Sequence, residues 1–201
     1  MKTLSSAVLI LFTITASLVA EDLKPFETKS MLRSHFHAGG RENLFGGLGG
    51  YYASDNAPKV VTDKTPGKEG ELSLVAQPLE PIPFGKEYQG FRLLLVNRSK
   101  VSEVFKACDS SLYIICEACD KTGEWKAIES YPSSSCGNSY HQASLPSGQY
   151  WEFAAPVYSG TFKTKLRYKL KDEPVIYSNE FDGNINPEQF TAPKPRNRAG
   201  Q

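Results

Sequence analysis

Between Thr161 and Leu170 polar and apolar positions alternate without a break. Phe162, Thr164, Leu166, Tyr168 and Leu170 fall on one side, and Lys163, Lys165, Arg167 and Lys169 on the other. A period of two over that length marks a strand with one buried and one solvated face. Shorter runs predict further strands at Glu71–Val75, Phe91–Val96, Val104–Phe105, Leu112–Cys119, Trp125–Glu129, Tyr140–Leu145, Gln149–Phe153 and Val175–Phe181. The turn Asp120-Lys-Thr-Gly-Glu124 folds two of these into a hairpin with Cys119 opposite Trp125, and Pro146-Ser-Gly148 makes a second hairpin of the strands beside it. Turn signals recur every 8–12 residues or so, and no segment carries a helical period. The pattern predicts an all-β chain: a single immunoglobulin-like antiparallel β-sandwich over residues 71–190, with a jelly roll as the alternative.

The ends read differently. Met1-Lys2 is a short positive region, Ala7–Leu11 with Phe12 and Ile14 is an apolar core, and Ala16, Ser17 and Ala20 are small. Residues 1–20 are therefore expected to be a signal peptide, too short to span a bilayer. The protein is expected to be secreted or periplasmic, with no membrane insertion after cleavage. Residues 21–70 hold 8 of the 16 glycines. Such a stretch loses much backbone entropy on ordering and has few apolar groups to offset it, so it predicts a flexible Gly/Pro-rich leader. Residues 191–201 predict a disordered tail.

Charge narrows the partners. The chain of 201 residues holds 23 Lys and Arg against 22 Asp and Glu, and Lys2 is the only charge among the first twenty. After cleavage the balance is zero. That excludes a disordered polyelectrolyte and argues against nucleic acid, which calls for a basic excess. With 40% hydrophobic and 11% aromatic residues, the remainder can build a core.

Four cysteines suit an oxidising compartment. Cys116 and Cys119 have CxxC spacing, but they lie on a strand, where positions three apart sit about 10 Å from each other, beyond disulfide reach. No second pair completes a zinc site. The register that places Cys119 opposite Trp125, continued outward, places Cys108 opposite Cys136, and a Cys108–Cys136 disulfide is the expected bond.

Three segments, Ser135-Cys-Gly-Asn-Ser-Tyr-His141, Phe162-Lys-Thr-Lys-Leu-Arg-Tyr168 and Ile176–Phe190, resemble stretches of uncharacterised exported bacterial proteins with an immunoglobulin-like sandwich. The resemblance covers roughly residues 85–190. It implies a fold and an exported location, and it carries over no catalytic residue.

Several groups have the residue types of a site. His141 lies five residues from Cys136 and near Asn138, but nucleophile, base and orienter ordinarily converge from distant parts of a fold, so the segment reads as a structured loop. Asp182–Glu188 alternates oxygen-bearing side chains but fails the EF-hand pattern, with Pro187 where glycine is required, and reads as a turn. His35 and His37 are too few to hold a metal. Asn97-Arg-Ser99 is a glycosylation sequon in a eukaryotic host. No catalytic residue, metal or cofactor is called for. The strongest surface feature is the row Lys163, Lys165, Arg167 and Lys169. The expected function is a non-enzymatic exported module that uses this face on a protein or polysaccharide of the envelope or extracellular space. The alternative is a carbohydrate-binding sandwich that stacks sugars on exposed Tyr140 and Tyr150.

Overall fold

Strand formation follows the alternation most closely where it is longest. In the computed structural model the strand expected at Thr161–Leu170 runs from Phe162 to Leu170, with Leu166, Tyr168 and Leu170 buried. The structure describes residues 23–40, 44–45 and 49–191. The expected signal peptide, and the expected tail beyond Thr191, lie outside the described residues.

The described chain is all β, apart from 3-10 turns at Gly137–Ser139 and Pro187–Phe190. Its strands are β1 (Phe26–Glu27), β2 (Leu32–Arg33), β3 (Leu44–Phe45), β4 (Lys59–Val60), β5 (Leu72–Phe84), β6 (Tyr88–Asn97), β7 (Glu103–Cys108), β8 (Ser111–Leu112) and β9 (Ile114–Cys119). There follow β10 (Trp125–Ala127), β11 (Glu129–Ser130), β12 (Tyr140–Leu145), β13 (Gln149–Pro156), β14 (Tyr158–Ser159), β15 (Phe162–Leu170), β16 (Ile176–Tyr177) and β17 (Phe181–Ile185).

One sheet has the order β4-β13-β6-β5. A second has the order β10-β9-β15, with β16 and β17 both on the far side of β15. Taking β5, β6, β9, β10, β13, β15 and β17 as strands A, B, C, C′, E, F and G, this is the division of an immunoglobulin sandwich. The place of strand D is different. Beside β13 stands β4, from the N-terminal part, whereas β12 joins β3, β7 and β8 in a third sheet. One core serves all three sheets. Leu93, Leu95, Trp151 and Phe153 come from the first, Cys116, Leu166, Tyr168 and Leu170 from the second, and Phe105, Ala107 and Leu145 from the third.

The hairpin expected across Pro146-Ser-Gly148 does not form as a pair. Both strands exist, but β12 pairs with β7 and β13 with β6. The turn instead carries the chain from one sheet to another, and its Gly148 N–H donates to the Asn97 carbonyl at 2.9 Å.

The described part of the expected leader belongs to the packed body. β1 runs parallel to β14, and β2 parallel to β11. Phe36 and Ala38 are fully buried, with the Phe36 ring edge-on to Phe153 and Tyr168 at 5.7 and 5.5 Å. The segment has few apolar residues, but those it has fall on gaps in the sandwich. Glycine has a steric use here: a Cβ at Gly39 would lie 1.8 Å from the Ser54 carbonyl oxygen.

The Cys108–Cys136 disulfide is not formed, and all four cysteines are free. The register that pairs Cys119 with Trp125 is present. It does not extend outward, because Asp109 and Ser110, at φ 49° and 63°, turn the chain into a tight hairpin. That turn sends Cys108 into the third sheet opposite Tyr140, and Cys136 sits on the exposed loop before the 3-10 turn. Denatured without reductant, the chain is expected to titrate as four thiols. In the native state Cys136 should react first and buried Cys108 and Cys116 last. A denatured count of two would contradict this arrangement.

Candidate functional site

The outward face of the second sheet gathers most of the predicted basic row, together with aromatic residues that the sequence left apart. Pleating points Lys163, Lys165, Arg167 and Lys169 the same way. Lys163 lies opposite Asn184 on β17. Lys165 pairs with Asp182 at 3.0 Å across the same strands. Arg167 lies opposite Glu117 on β9, and that carboxylate accepts from its Nε at 3.0 Å and its terminal nitrogen at 2.8 Å. Lys169 reaches the other oxygen of Glu117 at 3.1 Å. This bond holds the Lys169 ammonium above its usual pKa. Glu117 is almost wholly buried beneath the two cations.

Arg167 is also clamped from both sides. The Trp125 ring of β10 lies 4.2 Å from the guanidinium carbon, and the Tyr177 ring of β16 lies 4.1 Å from it. The guanidinium thus presents its faces to two π systems and its edge to a carboxylate, which suits its planar charge. The series continues along the sheet: Lys169 over Tyr177 at 5.8 Å, and Lys171 over Tyr131 at 5.4 Å. Tyr177 is 45% exposed. The result is a rigid outer face of alternating rings and cations carried on strands.

Glu117, Trp125, Tyr131 and Tyr177 were not singled out in the sequence. The hairpin register gave a partial signal, since it puts Cys119 and Trp125 side by side and Glu117 on the same face two residues away. What it lacked was the pairing of β9 with β15, fifty positions apart.

The two tyrosines of the carbohydrate alternative are not brought together. Tyr140 is in the third sheet opposite Cys108, and Tyr150 is in the first, between Val96 and Lys59. The Tyr140 hydroxyl donates to the Ser134 carbonyl at 2.8 Å and accepts from the Ser134 N–H at 3.1 Å, so it closes a loop. His141 is buried, stacked on Tyr51 at 3.8 Å, and its Nδ1 lies 3.2 Å from the Ser139 carbonyl. Burial lowers its pKa. His35 and His37 contact different carbonyls, those of Ala154 and Asp109. In the Asp182–Glu188 segment Asp182 faces Lys165, and Asn186 caps the 3-10 turn by accepting from the Glu188 N–H at 3.0 Å.

A second group of titratable residues is sealed inside. Glu129 accepts from the Tyr158 hydroxyl at 2.6 Å and from the Cys116 N–H at 3.0 Å. Burial pushes its carboxyl from 4.5 up to about 7. The Cys116 thiol and the Tyr168 hydroxyl, which face each other, are raised by the same cause. No cation pairs with Glu129 among the described residues. Glu129, Cys116, Tyr158 and Tyr168 are all buried, and burial favours the neutral form of the acid.

No family model matches the chain, and neither does any curated protein or solved structure.

Proposed function

We propose that the chain is an exported, non-enzymatic immunoglobulin-like module that binds an envelope or extracellular partner through the outer face of the second sheet. The observation that carries this reading is the Trp125–Arg167–Tyr177 clamp, seated on Glu117 and flanked by Lys169. Aromatic and arginine side chains supply most of the binding energy at recognition surfaces, and here they are already ordered. Fixing them in the free protein removes the entropy cost of ordering them on contact. Strands hold such a face more firmly than loops do.

The test compares two double variants, immobilised and exposed to the native envelope or secreted fraction. Trp125→Ala with Tyr177→Ala strips the face while leaving the Arg167–Glu117 pair in place. Tyr140→Ala with Tyr150→Ala strips the tyrosines of the alternative surface. Partner recovery should fall about tenfold or more with the first pair and stay near wild type with the second. Loss with the second pair alone would transfer the contact to the tyrosines. Equal recovery with both would remove the face from the account.

A further inference from the structure

The binding face has a length and a charge spacing, and these define a class of ligand. Five cations occupy alternate positions from Lys163 to Lys171, a run of about 27 Å at the strand repeat. Among the described residues only Asp182 and Glu117 answer them, and Lys163 and Lys171 take part in no ion pair there. The strip therefore keeps a cation excess of three, although the mature chain as a whole is neutral. The residues that carry its cations are spaced about 6.8 Å apart along the backbone, and rings are interleaved with the cations of its Lys171 end. Trp125 and Tyr177 each rest one ring face on Arg167, and Tyr177 is 45% exposed.

Resting on the reading above, we infer that the ligand of this face is an acidic polysaccharide laid along β15. Its carboxylate or sulfate groups meet Lys163 and Lys171, and its sugar rings lie on Tyr177 and Trp125. A neutral glycan would use the rings but leave the cation excess unanswered. Duplex DNA carries a charge about every 1.7 Å of axis, far denser than this strip, whose middle cations are already matched by carboxylates. A linear polymer of acidic sugars supplies both the anions for the unpaired ends of the strip and the rings for its aromatic part.

The probes are polygalacturonate for carboxylate, chondroitin sulfate for sulfate, neutral galactan and duplex DNA, each offered to the full-length secreted protein in affinity electrophoresis and calorimetry. Retention by at least one acidic polymer and not by galactan is expected, weakening about tenfold or more between about 50 and about 300 mM NaCl. Lys163→Ser with Lys171→Ser, which disturbs no ion pair, should weaken it at least about threefold. Trp125→Ala with Tyr177→Ala should weaken it about tenfold, with the unfolding temperature checked in parallel. Failure to bind either acidic polymer, equal binding of galactan, or tighter binding of DNA overturns the inference. If the envelope partner is nonetheless lost from Trp125→Ala with Tyr177→Ala, the face remains a binding surface and only its ligand class is wrong. If those variants bind acidic polymer and recover the envelope partner as wild type does, both readings fall.

Discussion

Replacing Glu129 by Gln is expected to make the protein more stable above neutral pH and to leave it nearly unchanged near pH 4.5. The carboxyl sits in a dry position with a folded pKa of about 7 against 4.5 in the open chain. Between those values the folded state holds a proton that the unfolded state has released. Stability therefore falls as pH rises from 4.5, and the loss is complete once pH passes 7. A difference of about 2.5 pH units corresponds to about 3 kcal/mol. Gln keeps both contacts, with the direction of the Tyr158 bond reversed. Its oxygen accepts from the Cys116 N–H, its amide donates to the Tyr158 hydroxyl oxygen, and no charge ever forms. At pH 8 the Glu129→Gln unfolding temperature should exceed wild type by about 6–12 °C. Thermal unfolding of both proteins across pH 4.5–8 checks this, and the comparison cancels every group they share. Parallel profiles would show that Glu129 ionises freely in the fold.

The position of this acid links it to the N-terminal segment. Glu129 and Leu32 are register partners in the β11–β2 pair, and Tyr158 and Phe26 are partners in the β14–β1 pair. The hydrogen bond between Glu129 and Tyr158 thus joins the two strands on which residues 26–33 dock. Half-buried His35 and buried His141 act with the opposite sign. Burial lowers both pKa values, so their contribution is present above 6.5 and is lost as pH falls below it. Acid and base limits on stability have separate sources, and only the basic one should vanish in Glu129→Gln.

The sandwich was legible wherever periodicity and turn chemistry act locally. The alternation of Phe162–Leu170 defined its strand almost to the residue, and Asp120-Lys-Thr-Gly-Glu124 set the Cys119–Trp125 register. Pairings between distant strands were not legible. Tyr140–Leu145 and Gln149–Pro156 are joined by a good turn, yet each finds a different partner, because a turn fixes direction and not the neighbour. The same limit hid the Arg167 clamp, whose members come from four strands. Counting glycines misjudged residues 23–40, since packing depends on where Phe36 lands rather than on how many apolar residues surround it. The disulfide failed at one local feature, the left-handed Asp109–Ser110 turn, which ends the continued register.

Asn97 is the position where a local motif and the fold disagree most, and its replacement is expected to be the most damaging single substitution of a polar residue. As a sequon it would be a surface acceptor for a glycan. In the fold it is fully buried at the end of β6, and its amide is saturated. Nδ2 donates to the Val101 carbonyl at 2.8 Å and the Leu145 carbonyl at 2.9 Å. Oδ1 accepts from the Ser99 N–H at 3.0 Å and the Ser99 hydroxyl at 2.7 Å. One side chain thereby joins the end of β6, the loop that follows it and the last residue of β12. A glycan there would require breaking all four bonds, so the sequon is closed once the chain is folded. Asn97→Ala leaves the buried Leu145 carbonyl without its side-chain donor, leaves the Val101 carbonyl only the Ser99 hydroxyl, and opens a small void, at a cost of about 2–4 kcal/mol. Asn97→Asp keeps the shape but points an acceptor at two carbonyls, so at pH 7 it should be at least as damaging as Asn97→Ala. Acid should separate the two. Protonation gives the introduced carboxyl one donor, and Asn97→Asp should regain part of its stability below about pH 5, whereas Asn97→Ala should not. Denaturant titration at pH 7 and pH 4.5 measures both variants. Wild-type stability in either, at pH 7, would mean that the Val101 and Leu145 carbonyls do not depend on this amide.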